Sequence, residues 1–287
     1  MRVLVTGGAG FIGSHVVEYL LSEINHVLVM DNFTTGTVDN LAQGIEPVII
    51  HTIGSDDPLP EDLKFDSMVH LAAPISVEES LTDATKYYQQ IAYGTDKLMN
   101  WAISCGCRNF VLASTAAVYG DTEDFPTSEQ CSLYPKSPYA AAKMLMEDIA
   151  SAYRPSASVA ILRFFNVYGE RQRNDGGYLS CIPIFMNQYN KQKPLTVTGD
   201  GEQSRDFIYV KDVAKAVSSA IGSSGTWNVG SGREVKIINI AKAMSDDIKF
   251  IKARKEAKRS LADIESIGFW LNWKPETKLG NWIKSKL

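Results

Sequence analysis

Tyr139 and Lys143 lie four residues apart in Ser137-Pro138-Tyr139-Ala140-Ala141-Ala142-Lys143, a spacing that puts both on one face of a helix. A free phenol keeps its proton up to about pH 10. An adjacent ammonium favours the phenolate and makes it a base able to take a proton from an alcohol. Ser137 is a good helix cap and Pro138 suits the first helical position. Read alone, the pair is equally a surface lysine beside a half-buried tyrosine. Further hydroxyls stand in Ala113-Ser114-Thr115-Ala116-Ala117-Val118-Tyr119-Gly120, at the end of an expected strand. A hydroxyl there can hydrogen-bond to a substrate oxygen that is losing its proton. Alone, it is also an ordinary Ser/Thr-rich strand end.

A third group is Thr6-Gly7-Gly8-Ala9-Gly10-Phe11-Ile12-Gly13, with Gly7, Gly10 and Gly13 at G-x-x-G-x-x-G spacing. Such glycines turn the chain sharply out of a strand, let backbone N–H groups approach a pyrophosphate, and allow close packing of the next helix. Glycines also mark plain turns. Here an apolar strand, Arg2-Val3-Leu4-Val5-Thr6, precedes the turn and a helical pattern follows from Phe11. A second strand, His26-Val27-Leu28-Val29-Met30, ends at Asp31. That carboxylate is placed to accept hydrogen bonds from an adenosine ribose and to repel a 2′-phosphate, so the motif favours NAD over NADP.

The elements that must position these groups alternate. Strand-like runs at 48–51, 67–71, 109–113 and 159–164 are separated by helical stretches, notably 84–105 and 138–153. This order predicts an α/β fold, a Rossmann doubly wound parallel sheet. After Asn166 the elements shorten, and a smaller C-terminal substrate-binding lobe is expected over the carboxyl edge of the sheet. We expect residues 1–166 and about 204–222 in the NAD-binding domain, and 167–203 with 223–287 in the lobe.

The 287 residues include 29 Lys and Arg against 33 Asp and Glu, a balance unsuited to general nucleic-acid binding. No apolar run approaches the ~20 residues of a membrane span. Four cysteines are too few for a disulfide scaffold, and Cys105-Gly106-Cys107 is too tight for a usual zinc knuckle. A cytoplasmic protein without a metal is expected.

Together these motifs resemble the extended short-chain dehydrogenase/reductase superfamily, and within it the NAD-dependent nucleotide-sugar epimerases of the UDP-galactose (UDP-glucose) 4-epimerase type. The resemblance runs through Gly7 to His15, Asp31-Asn32, His70-Leu71-Ala72-Ala73, Ser114 to Gly120, Tyr139 with Lys143, and Leu162-Arg163-Phe164-Phe165-Asn166-Val167-Tyr168-Gly169. It continues through Gly199 to Val210 and Trp227 to Gly232. It implies Thr115 as the catalytic hydroxyl, Tyr139 as the base and Lys143 as a ligand of the nicotinamide ribose. It implies a cofactor lining of Gly7, Gly10, Phe11, Ile12, Gly13, Asp31, Asn32, Thr35, Gly36, Ile53, Leu71, Ala72, Ala73 and Phe165. Substrate contacts are implied for Asn166, Arg205 and Arg254 at the diphosphate, Thr196 and Thr198 along the nucleoside, and Ser260 at the sugar. A UDP-hexose is the implied substrate, and the small Ser260 would admit an N-acetyl group. Arg205 could instead pair with Asp206.

Relatives that eliminate water carry an Asp-Glu pair after the catalytic Thr, where this chain has Ala116 and Ala117. The resemblance therefore implies 4-epimerisation ahead of a 4,6-dehydratase, a decarboxylase or 4-epimerase of UDP-glucuronate, or a noncatalytic NAD-binding regulator. It also implies a homodimer joined by a four-helix bundle of the helices at 84–105 and 138–153. Three positions depart from the pattern: Ile91 replaces a usual Asn, His51-Thr52-Ile53 replaces Gly-Asp-Ile, and Arg254 aligns only across a gap. Asp56 or Asp57 could stand in for the missing adenine carboxylate if the loop re-routes.

Overall fold

The computed structural model describes residues 1–23, 26–42, 45, 48–173, 180–253 and 257–287. Strands β1 (Arg2–Thr6), β2 (His26–Asp31), β3 (Val48–Ile50), β4 (Ser67–His70), β5 (Asn109–Thr115) and β6 (Ser158–Phe164) come first in chain order. They are followed by β7 (Asn166–Tyr168), β8 (Leu195–Thr198), β9 (Ser204–Tyr209), β10 (Gly225–Val229), β11 (Glu234–Lys236) and β12 (Ile248–Ile251). The helices are α1 (Phe11–Glu23), α2 (Val77–Thr82), α3 (Ala84–Tyr87), α4 (Gly94–Ser104), α5 (Pro138–Ala152), α6 (Cys181–Asn190), α7 (Val210–Ala220), α8 (Ile237–Met244), α9 (Glu265–Leu271) and α10 (Leu279–Lys284).

The expected Rossmann fold is present as a seven-stranded sheet in the order β10-β6-β5-β4-β1-β2-β3, with every pairing parallel. Because both faces are covered, β1 is a continuous apolar run whose residues alternate between two cores. Val3 and Val5 pack with Val17, Leu20 and Val217 on the side of α1 and α7. Leu4 packs with Leu98, Leu112 and Met146 on the side of α4 and α5. The chain leaves β1 toward β2 and β3, then returns to β4 and continues the other way. The strand order thus reverses between β1 and β4, where open α/β sheets bind ligands beyond their carboxyl ends.

Three elements sit differently from the sequence expectation. Gly225–Val229 was expected in the second lobe but pairs with β6 at the sheet edge, because Trp227 and Val229 bury their side chains in the first core. Conversely, Ser204–Tyr209 joins β7 and β11 in a separate three-stranded sheet. The long helix expected at 84–105 is interrupted by a π segment, Tyr88–Tyr93. There the 53–54 loop presses so close that a Cβ at Gly94 would lie 2.7 Å from the Ile53 side chain. Among the described residues no helix is long and apolar enough to cross a membrane.

The second lobe has its own core, in which Tyr168, Phe185, Val197, Phe207 and Trp282 meet. Its C-terminal segment is fastened back to the first domain at α7. Trp273 donates its indole N–H to the Asp212 carbonyl at 3.0 Å. The Asp212 carboxylate accepts from the backbone N–H groups of Glu276 and Thr277 at 3.2 and 2.9 Å. Asp212→Ala strands both donors and should cost about 2–4 kcal/mol; urea denaturation measures the loss, and an unchanged midpoint would refute this anchor.

Candidate active site

The glycine turn is backbone packed on backbone. Gly7 has φ +70, and a Cβ there would lie 2.8 Å from the Ala72 nitrogen. A Cβ on Gly13 would fall 2.0 Å from the Gly7 carbonyl oxygen, and Gly10 donates its N–H to that same oxygen at 3.1 Å. Gly7 and Gly13 therefore tolerate no side chain, and the turn holds the N-terminus of α1, with half-buried Phe11 and Ile12, at the sheet's carboxyl edge. Free N–H groups at a helix start suit a pyrophosphate.

Asp31 bridges this turn to the exit of β2. Its carboxylate accepts from the Ala9 N–H at 2.9 Å and the Phe33 N–H at 2.8 Å, which leaves lone pairs for ribose hydroxyls. Asn32 links to Thr52, donating its amide to the threonine hydroxyl at 3.2 Å. Gly36 packs against Ala9, where a Cβ would lie 2.7 Å from its carbonyl, while Thr35 is exposed. Asn40, which the motif does not reveal, donates to the Ala9 carbonyl at 2.8 Å. Ile53 is buried. Asp56 and Asp57 stay exposed, and Asp57 accepts from the Ser55 hydroxyl at 3.0 Å. At the exit of β2 this loop offers Thr52, through its bond to Asn32.

At the strand-order reversal, the register pairs Thr6 with His70. The Thr95 hydroxyl donates to the Ile91 carbonyl at 2.5 Å, so it accepts from His70 Nε2–H at 3.1 Å. His70 Nδ1 then accepts from the Thr6 hydroxyl at 2.7 Å, and Thr6 Oγ1 accepts from the Ala72 N–H at 3.3 Å. All polar atoms run in one direction, and the imidazole is neutral. Burial first, and the neighbouring Lys143 charge second, bring its pKa down from 6.5 to about 3. The network fixes the strand end from which Leu71, Ala72 and Ala73 run half-buried along the crevice. Ile91, in place of the usual Asn, is buried and gives this network its carbonyl.

Helix α5 is built as expected: Ser137 Oγ accepts from the Ala140 N–H at 3.2 Å and Pro138 begins the first turn. Tyr139 is half-buried, edge-on to Tyr87 with ring centroids 6.2 Å apart. Lys143 is not on the surface. Its Nζ donates to the Ala113 carbonyl of β5 at 2.7 Å, and burial brings its pKa down to about 8 against the opposing pull of Glu147. The two hydroxyls at the end of β5 have separate fates. Ser114 is buried and donates to Glu147, whereas Thr115 is half-buried at the strand end, its Oγ1 accepting from the Ala117 N–H at 3.2 Å. That bond leaves the Thr115 proton to be donated outward.

The substrate-side residues gather on the second lobe. Asn166 donates to the Asp206 carbonyl at 2.9 Å. Thr196 accepts from the Gln188 side chain at 2.8 Å, and Thr198 gives its carbonyl to Gln203 at 3.0 Å. Arg205 donates to the Ser204 carbonyl at 2.9 Å. The buried Asp206 carboxylate turns to backbone, accepting from Ser231, Gly232 and Ala262 N–H groups at 2.6, 3.0 and 3.1 Å. It thereby holds the segment after half-buried Ser260. Phe165 is buried against Tyr119, centroids 6.5 Å apart. Arg254 lies outside the described residues.

Residues 3–230 match the NAD dependent epimerase/dehydratase family. The chain belongs to that family. A putative UDP-glucose 4-epimerase of Methanocaldococcus jannaschii is 34% identical, over 98% of this chain and 96% of its own. A UDP-N-acetylglucosamine 4-epimerase from Methanobrevibacter ruminantium, solved with UDP-N-acetylmuramic acid, superposes with TM-score 0.92 at 33% identity, covering 99% of this chain and 96% of that one. A UDP-glucuronic acid decarboxylase 1 of Xenopus tropicalis is 32% identical over 97% of this chain and 69% of its own. The glycine turn and the Asp31 carboxylate fit the dinucleotide this family uses.

Because His70 is packed neutral, acid favours the unfolded chain, which takes up a proton that the native state refuses. Stability falls as pH drops below about 6.5, by up to about 1.4 kcal/mol per pH unit from this group. In His70→Asn the slope of unfolding free energy between about pH 7 and pH 5 should be flatter, by close to one proton at its acid end. Urea melts across that range test it, and an unaltered slope would show that His70 already titrates in the folded protein.

Proposed function

We propose that the protein is an NAD-dependent 4-epimerase of UDP-hexoses, interconverting UDP-glucose and UDP-galactose and, through the small Ser260, their N-acetylated counterparts. The observation that carries this is the face of α5: Tyr139 one turn above Lys143, with Lys143 tied to the strand that ends in the Thr115 hydroxyl. NAD, when bound, would supply the hydride acceptor for the sugar C4 and the hydride donor for its reduction, so that no net oxidation occurs. Tyr139 takes the proton of the 4-hydroxyl and gives it back after the 4-keto sugar has turned. Thr115 donates to the same oxygen as its charge develops. Lys143 holds the nicotinamide ribose and favours the phenolate. Asn166, Arg205 and Arg254 take the diphosphate, with Thr196 and Thr198 along the nucleoside. In this reading the chain from 167 onward, apart from α7, β10 and the segment packed with Trp273, binds substrate.

Ala116 and Ala117 supply methyl groups where elimination calls for a carboxylic acid and base, which supports epimerisation over dehydration or decarboxylation. Tyr139→Phe should lower turnover by about 10²–10⁴-fold while NAD stays with the protein. NMR of products from a panel of UDP- and GDP-sugars reads this; undiminished activity sinks the assigned base, and released carbon dioxide supports the decarboxylase reading instead.

The π segment and α5 present Tyr88, Tyr93 and Leu145 to solvent, along a groove they share with Ala92 and Ile149. This apolar strip supports a homodimer joined by four helices. None of the four cysteines forms a disulfide, and two of them are buried, which supports a reducing, cytoplasmic location. Leu145→Arg should convert the dimer to a monomer in light scattering; a wild-type protein of one chain mass at micromolar concentration would refute the pairing.

A further inference from the structure

Glu147 lies one turn beyond Lys143 on α5, among the apolar core residues Ala142, Met146 and Ala150. It is 5% exposed, and its partners Arg163 and Ser114 are 6% and 4% exposed. Arg163 on β6 grips the carboxylate from two sides, Nε to Oε1 at 3.0 Å and Nη2 to Oε2 at 2.7 Å. Ser114, the register partner of Arg163 across β5 and β6, donates its hydroxyl to Oε1. The other arm of Arg163 donates to the Tyr119 hydroxyl at 2.9 Å, which donates to Asn228 Oδ1 at 2.7 Å.

A buried ion pair of this kind is weakly stabilising, and an apolar pair of equal volume usually serves stability as well. Its placement has another consequence. Lys143 holds the Ala113 carbonyl and Glu147 holds the Ser114 side chain, so α5 clasps two consecutive residues of β5 immediately before Thr115. Glu147 is also the carboxylate that opposes the desolvation of the Lys143 ammonium. The other titratable groups on neighbouring elements are committed elsewhere. His70 on β4 is neutral; Glu79 on α2 accepts from Tyr87 of α3 at 3.0 Å; Asp96 on α4 accepts from the Tyr153 hydroxyl at 2.6 Å. Tyr119 faces Arg163.

We propose that Glu147 is a positioning residue, which keeps Lys143 cationic in a dry pocket and sets the height of α5 on β5 so that Tyr139 and Thr115 address one substrate hydroxyl. The proposal rests on the epimerase reading for its catalytic meaning, but its electrostatic core can be measured without substrate.

The test compares wild type, Glu147→Gln, and the apolar triple variant S114A/E147M/R163M. Lysine labelled at the ε-carbon is titrated by NMR, with Lys143 identified by its loss in Lys143→Met, and the pH–rate profile and melting temperature are recorded alongside. In Glu147→Gln the Lys143 midpoint should fall by about one unit or more, a tenfold loss of ammonium at a given pH, and the alkaline limb of turnover should move down with it. The triple variant should regain melting temperature yet keep the lowered midpoint and displaced limb. If Glu147→Gln does not fold, the triple variant alone decides. An unmoved Lys143 midpoint, or a triple variant with wild-type midpoint and profile, would make the cluster structural only and overturn the proposal. Absence of turnover on every UDP-sugar in wild type would count against the epimerase reading, while the NMR midpoints would still decide the role of Glu147.

Discussion

Lys143 carries its ammonium beneath the carboxyl edge of the sheet at 5% exposure, and much of the first domain is arranged to make that tolerable. An isolated ammonium moved into an apolar interior loses several kcal/mol of hydration even after relaxation. The losses are offset by one carbonyl of β5 and by a carboxylate one helical turn away. Both offsets demand that α5 sit at one height on the sheet. The Ser137 cap and Pro138 fix where the helix begins, and the clasp on Ala113 and Ser114 fixes where it lies. Tyr139 then stands one turn nearer the sheet edge than Lys143, beside the end of the strand that carries Thr115. A cation that is costly to hide is thereby set one helical turn from Tyr139.

What could be read from sequence was what local geometry dictates. The glycine turn was legible because its constraint lies within a few residues: φ +70 at Gly7 and direct backbone contact at Gly13. The Tyr139–Lys143 pair was legible because the helical period alone puts both on one face. From residue type alone Ser114 and Thr115 could not be told apart, since adjacent strand residues point to opposite sides; only the family resemblance singled out Thr115. Which side is the site depends on Glu147 and Arg163, far along the chain. Glu147 did leave a signal, a charged residue one turn past Lys143 on an otherwise apolar face, and it has meaning only once Arg163 is seen opposite. The π segment was hidden because Tyr88–Tyr93 carries an ordinary helical pattern and ends where Gly94 packs against the distant 53–54 loop. Strand β10 was hidden because Thr226 and Asn228 dilute its apolar pattern to two buried residues.

The second lobe depends on a buried carboxylate much as the first domain depends on a buried ammonium. Asp206 is fully enclosed, and burial raises its pKa while its four hydrogen-bond donors from Ser231, Gly232 and Ala262 pull it back. It therefore binds together the turn after β10, which belongs to the central sheet, and the segment that follows Ser260. Its neighbour Arg205 and its own carbonyl, which takes the Asn166 amide, lie on the same short stretch of β9. Diphosphate and sugar contacts in the proposed function are thus referenced to the central sheet through one carboxylate. That arrangement matters for a reaction in which the nucleotide must stay fixed while the sugar turns. An epimerase gains from a rigid grip at the diphosphate and from an undemanding wall around the hexose. In the proposed function, methyl groups at Ala116 and Ala117 and the small side chain of Ser260 would provide such a wall. The charged groups that would trap the 4-keto sugar for elimination are missing from the two positions beside Thr115, so the route that these side chains leave open is the return of hydride to the opposite face.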